Sequence, residues 1–154
     1  MGLCRRYARC PAEAEDMFQE AFIRIFQQIH TVEQPDRLVF WLKRVVVNTA
    51  INWYHRHRHE HGEIDCEAAR YIHQNDHLDM LARISTEELL KQVQTLPDGY
   101  RMVFNLYVID GYTHPEIAQM LNISEGTSKS QLARAKESLR AKLKTIGIVS
   151  YGNY

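Results

Sequence analysis

Apolar residues recur every three to four positions along most of this chain, whereas alternation with a period of two is nearly absent. Wound as an α-helix, such a segment gathers its apolar side chains on one face; drawn out as a strand, it scatters them over both. The chain can therefore bury them only by packing helix on helix, and the fold class predicted is all-α. With 154 residues, 45% of them hydrophobic, it can build one ordinary core or two small cores of roughly 60 residues each. The periodic segments fall into two groups. This predicts two small helical domains, residues 1–61 and 84–146, joined by a flexible linker at 62–83 and followed by a tail at 147–154.

In the first group a helix is predicted from Ala12 to about His30, opened by Glu13, Glu15 and Asp16, acids that suit the positive end of a helix dipole. Phe18, Ala21, Phe22, Ile25 and Ile29 share one face, expected to be the buried one. Asp16, Gln19, Glu20, Ile23 and Gln27 share the other, where Ile23 is apolar among polar neighbours. After Pro35 and Asp36 a second helix is expected from about Arg37 to His61, stopped by Gly62. Trp41, Leu42, Val45, Val46, Thr49 and Trp53 supply its face toward the first helix. Arg44, Asn48, Ile51, His55 and Arg58 form a stripe at three- and four-residue steps that contains no acid.

The segment from Glu63 to about Leu81 has weak periodicity and reads as the linker. Helices are then expected over Thr86–Leu96, with Leu89, Leu90, Val93 and Leu96 in phase, and over Tyr100–Ile109, with Leu96-Pro-Asp-Gly99 as the break between them. Thr113 is placed to cap the next helix, with Pro115 and Glu116 in its first turn. From there the stretch "THPEIAQMLNISEGTSKSQLARAKESLRAKL", Thr113 to Leu143, has the spacing of a helix-turn-helix. Ile117, Ala118 and Leu121 face inward, Asn122 suits the left-handed turn, Ile123 plugs the gap, and Ser124 opens a second helix that buries Leu132, Ala135 and Leu139. Its other side presents Thr127, Lys129, Ser130, Gln131, Arg134 and Lys136, the hydroxyl, amide and basic groups that base edges and phosphates of a major groove require.

Charge follows the same division. The formal net charge is zero, but acids dominate from Gly62 to Asp98, and bases dominate from Thr127 to Ile146, where Glu137 is the single acid. Three cysteines, Cys4, Cys10 and Cys66, lack a C-x-x-C spacing and argue for a reducing compartment. No signal peptide or long apolar span is present, so a cytoplasmic protein without membrane insertion is expected.

The run "WYHRHRHEH", Trp53 to His61, raises the question of a metal. His55 with His59, and His57 with His61, are four apart, and Cys66 is near, but neither pair has clear third and fourth ligands. Contact with a polyanion, strengthened when the histidines are protonated, is the better reading. No metal and no cofactor is expected.

Taken together, three ordered stretches are similar to the extracytoplasmic-function (ECF) group of bacterial sigma-70 factors. "AEDMFQEAFIRIF" (Ala14 to Phe26) resembles region 2.2 of that family, "FWLKRVVVNTAINWYHR" (Phe40 to Arg56) resembles regions 2.3 and 2.4, and Leu96 to Leu143 resembles region 4. The resemblance implies a factor that binds core RNA polymerase and directs promoter recognition and initiation. It implies contact with the polymerase β′ clamp helices through Asp16, Gln19, Glu20, Phe22 and Phe26, with Phe22 expected to project toward the core side, and a further partner in the β flap. The minus-10 element is then read by Arg44, Asn48, Ile51, Asn52, His55 and Arg58, with a flipped base held by the loop at about Thr31 to Leu38. The minus-35 element falls to Thr127, Lys129, Ser130, Gln131, Arg134 and Lys136. Such factors often have an anti-sigma partner. Departures from the family pattern are Leu38 for a common Phe, "VEQPDR" for a Gly-rich loop, Asn122 for Gly and Ser128 for Val, the last two implying looser packing. Part of region 2.1 is expected to be missing before "RRYA".

Two other functional classes fit the sequence less well. A stand-alone helix-turn-helix regulator has no use for a polymerase-binding face at Asp16 to Gln27. An enzyme finds no support, since the chain has neither H-E-x-x-H nor a phosphate-cradling glycine loop.

Overall fold

The computed structural model describes residues 1–58 and 86–145. Every regular element among them is helical. They belong to two compact units, one within residues 1–65 and one within 66–154, each taken by itself below. The expected linker, the tail, His59, His61, Gly62 and Cys66 lie outside the described residues.

The first unit opens with α1 (Gly2–Tyr7), then α2 (Pro11–Gln28), two single 3-10 turns at Ile29–Thr31 and Pro35–Arg37, and α3 (Leu38–His57). Pro11 sits at the first position of α2, where its missing N–H costs nothing. Glu13 accepts the backbone N–H of Arg9 at 2.8 Å and the Arg9 Nε–H at 2.7 Å, which ties the incoming chain to the start of that helix. The three helices pack on one another, with α1 against both α2 and α3. Their shared core is Cys4, Tyr7 and Ala8, then Ala14, Met17 and Ala21, then Val47, Thr49, Ala50 and Ile51. Thr49 carries its hydroxyl into that core by donating to Val45 O at 2.8 Å.

The burial in this unit differs from the sequence expectation at two places. The buried stripe of α2 is Ala14, Met17 and Ala21, while Phe18, Phe22 and Ile29, expected inside, are exposed, Phe22 by 53%. The apolar arc of α2 is wider than its neighbours can cover, and the edge that wins is the one whose alanines let a helix come close. Ile51, expected on the reading stripe of α3, is instead 7% exposed. Because α1 adds to the cover that α2 provides over α3, the buried arc of α3 is broader than a helix pair would make it. Trp41, Leu42, Val45, Val46 and Trp53 are half-buried.

The second unit comprises α4 (Thr86–Gln94), α5 (Asp98–Phe104), a π-helical turn at Asn105–Ile109, α6 (His114–Leu121) and α7 (Glu125–Thr145). Val93, Leu96, Ala135 and Leu139 form one core cluster, with Tyr100 and Phe104 packed against it. Met102, Val103, Leu106, Ile117, Leu121 and Leu132 are also buried, whereas Leu89, expected in phase with the core, is 38% exposed. The buried Arg101 donates to Leu96 O at 2.7 Å and pairs with Asp98, so its guanidinium satisfies a carbonyl of the break between α4 and α5. The helix expected over Tyr100–Ile109 starts earlier and changes register: Asp110 N–H reaches Asn105 O at 2.9 Å, five residues back.

Local chemistry sets the helix-turn-helix. Thr113 and Glu116 form a capping box, Thr113 N–H donating to Glu116 Oε2 at 2.7 Å. Asn122 closes α6 with φ 53° and ψ 53°, and Ile123 N–H returns to Ala118 O at 3.0 Å. Ser124 Oγ accepts Thr127 N–H at 3.0 Å and caps α7. Among the described residues no helix is long and apolar enough to cross a membrane.

Candidate nucleic-acid interface

On α7 the buried stripe is Ser128, Leu132, Ala135 and Leu139. It turns Lys129, Ser130, Arg134 and Lys136 outward, all exposed, with Arg140 and Lys144 extending the basic side. Thr127 and Gln131 are half-buried at its edge. The Ser130 hydroxyl donates to Thr127 O at 3.0 Å and Thr127 Oγ1 lies 2.8 Å from Ser124 Oγ, so these hydroxyls are oriented by their own helix. Arg134 Nη1 donates to the Tyr100 hydroxyl at 3.4 Å, which raises the guanidinium pKa above its already high value. Gln131 Oε1 is buried and has no hydrogen-bond partner among the described residues. A link that sequence reasoning missed lies behind this face: His114 Nδ1 is 2.9 Å from Ser128 Oγ, and the His114 ring stacks on Tyr107 at 4.4 Å.

The first unit presents two further surfaces. On α2, Phe18, Phe22 and Phe26 stand one turn apart with ring centroids 6.1 Å from each neighbour, and Ile23 lies beside them, 56% exposed. Asp16 and Gln19 are exposed as expected. Glu20 is not part of a free acidic face. It accepts Arg24 Nη2 at 2.8 Å and pairs with Arg56 of α3. Burial tends to raise the Glu20 pKa, but the hydrogen bonds and charges of Arg56 and then Arg24 outweigh it and hold the carboxyl below its ordinary value.

On α3, Arg44, Asn48, Asn52 and Arg58 are exposed and His55 is half-buried, so these five remain a surface stripe without Ile51. Arg56, besides pairing with Glu20, lies over the Trp53 ring, 5.4 Å from its centroid. His57 stacks on the same ring at 4.5 Å and places Nδ1 2.9 Å from Trp53 O. Arg56 and His57 of the histidine run are thus packed on Trp53, while His55 lies against the Tyr54 ring at 5.6 Å. Among the described residues no group of three or more His, Cys, Asp or Glu side chains is arranged to hold a metal. Arg44 also lines an open pocket of about 620 Å³, together with Thr31, Val32, Glu33, Gln34, Arg37, Phe40 and Trp41. This pocket lies at the loop expected to take a flipped base.

Residues 1–60 match Sigma-70 region 2, and residues 86–139 match Sigma-70, region 4. The ECF RNA polymerase sigma factor SigW of Bacillus subtilis is 30% identical over 159 residues, covering 94% of this chain and 82% of SigW. The chain belongs to the ECF sigma factors of the sigma-70 family. Another relative, SigM of the same bacterium, is 31% identical over 129 residues, covering 83% of this chain and 78% of SigM. Among solved structures, the sigma factor RpoE in complex with the anti-sigma factor NepR from Bartonella quintana superposes with a TM-score of 0.58 at 20% identity, covering 93% of this chain and 88% of that one. That likeness establishes the shared fold. As an ECF sigma factor, the protein directs RNA polymerase to promoters and into transcription initiation. Its two family regions fall on the two units whose surfaces are described above.

Proposed function

We propose that this sigma factor assigns a separate task to each of its exposed faces. The outer face of α2 docks on the β′ clamp helices of core polymerase, through Phe22 and Phe26 with Asp16 and Gln19, while Glu20 holds α2 to α3 from the edge of that face. Arg44, Asn48, Asn52, His55 and Arg58 on α3 contact the minus-10 element, and the pocket beside Trp41 receives an extruded base. Extrusion costs a few kcal/mol, which stacking and phosphate contacts must offset. The α7 face of Thr127, Lys129, Ser130, Arg134 and Lys136, with Gln131 at its half-buried edge, lies in the major groove of the minus-35 element, and the second unit also meets the β flap. The factor works in the cytoplasm, has no catalytic activity and needs no cofactor. An anti-sigma protein covers one or more of these faces when transcription is off. The region 2 domain spans residues 1–61 and the region 4 domain 84–146, with the segment between them as linker.

The observation that carries this reading is the phenylalanine ladder of α2. Three large rings left in water on one helix face form an apolar surface that a monomer does not keep without a partner. A stand-alone regulator would bury it or lack it.

The decisive experiment is transcription in vitro with core polymerase of the source bacterium and its genomic DNA, comparing RNA 5′ ends with and without the protein. New starts preceded by two shared upstream elements support the reading. Absence of new starts, with polymerase binding intact, overturns the assignment of the two DNA faces.

A further inference from the structure

The recognition face of α7 has one member that does not behave like the rest. Lys129, Ser130, Arg134 and Lys136 stand in solvent, whereas Gln131 is half-buried at the border of the stripe that packs inward. Its carboxamide lies against Gly99 in the first turn of α5. A Cβ placed on Gly99 would sit 2.9 Å from Gln131 Nε2, closer than packed atoms tolerate, and a tight 3.3 Å from Oε1 and Cδ. No other heavy atom ranks among the three nearest to that Cβ within 4 Å. The absence of a side chain at position 99 therefore makes the space that the amide occupies. The occupancy is poor in polar terms, because Gln131 Oε1 is buried without a hydrogen bond among the described residues, and an unsatisfied buried oxygen is held only by the packing around it.

We infer that Gly99 is a specificity-positioning residue: it lets the Gln131 carboxamide fold back against α5, away from the groove, so that the promoter base pair opposite Gln131 is read loosely. The inference rests on the placement of α7 in the minus-35 element. A glutamine that reaches a base edge pairs with adenine through two hydrogen bonds. One folded back offers nothing, and the position tolerates any base. The three atoms nearest a methyl group at position 99 all belong to the far end of the flexible Gln131 side chain, which can move aside. Gly99 lies in a helix, where Ala is the better residue. Gly99→Ala is thus a substitution that keeps the fold and moves one amide.

The test uses holoenzyme assembled with core polymerase and a template pool in which the upstream element of one active promoter is randomised. Four proteins are compared: wild type, Gly99→Ala, Gly99→Ala with Gln131→Ala, and Lys129→Ala. The expected result is that Gly99→Ala gains a preference for adenine of roughly fivefold or more at one base pair and that the double variant loses it. Lys129→Ala weakens all templates evenly. If Lys129→Ala behaves so and Gly99→Ala keeps the wild-type profile, the role of Gly99 is overturned and the docking of α7 stands. A gain that persists in the double variant also overturns it. If transcription by all four is indifferent to the upstream element, the docking itself fails and the role of Gly99 with it. Melting of each variant confirms that the comparison is between folded proteins.

Discussion

His114 Nδ1 at the first position of α6 lies 2.9 Å from Ser128 Oγ on α7, and Ser128 is wholly buried. This hydrogen bond joins the two helices of the helix-turn-helix behind the face that carries Lys129 and Arg134. The family resemblance implied Val at this position, and with Ser128 in its place looser packing was expected. A buried hydroxyl with a partner supplies a directional constraint that a valine does not.

Ser128→Ala should therefore destabilise the second unit by about 1 kcal/mol, the usual worth of a hydrogen bond whose partner is left behind. His114→Ala should cost more, because it also removes the stack on Tyr107. Urea unfolding of the full chain, followed by circular dichroism, measures both. Equal stability of Ser128→Ala and wild type would show that the bond carries no net stability.

Phe22→Ala and Phe26→Ala should weaken binding to core polymerase by roughly tenfold or more, as truncation of an aromatic anchor does. Both rings are mostly in solvent, so the melting temperature should hardly move. Fluorescence anisotropy with labelled core polymerase separates the effects. A loss of stability equal to the loss of binding would mean that the ladder serves the fold.

Glu20 links stability to pH. Its folded carboxyl titrates below the ordinary value, so the unfolded chain binds the proton more readily. The stabilisation is fully present above the unfolded pKa of about 4.3 and disappears as pH falls through the folded value. Arg56 is half in water, which limits the gain to about 1 kcal/mol or less. Glu20→Gln should flatten the stability profile in this acid range and leave neutral-pH stability slightly lower. Urea midpoints from pH 3 to pH 7 show whether it does. Asp16→Lys should weaken polymerase binding alone, whereas Glu20→Lys should disturb both binding and the pairing of α2 with α3.

On α7, Lys129→Ala should lower affinity for all promoters alike and reduce the slope of log affinity against log salt by about one, the signature of one lost phosphate contact. Tyr100→Phe keeps the ring in the core and removes only the oxygen that receives Arg134. It should weaken promoter binding by less than Arg134→Ala does. Holoenzyme binding to one promoter at several salt concentrations checks all three variants. An Arg134→Ala affinity equal to wild type would remove Arg134 from the interface.

The helix-turn-helix was legible because each of its devices acts within about one turn of chain. Thr113 and Glu116 cap each other across three residues, Asn122 adopts the left-handed turn by itself, and the buried side chains Ile117, Leu121, Leu132, Ala135 and Leu139 follow from period alone. Period also required helices in the first unit and separated the two groups. It could not say which edge of a broad apolar arc would be covered. That was decided by how α1, α2 and α3 pack on one another, which buries Ala14, Met17 and Ala21, leaves Phe18 and Phe22 outside and takes Ile51 inside. The tuck of Gln131 under Gly99, the bond from His114 to Ser128 and the pairing of Glu20 with Arg56 join residues 14 to 36 positions apart. The sequence by itself determined the helices, their caps and the basic side of α7, since those depend on neighbours in the chain. Only the tertiary structure decided which apolar groups stay in water and which polar groups are already engaged, since that depends on what each helix meets.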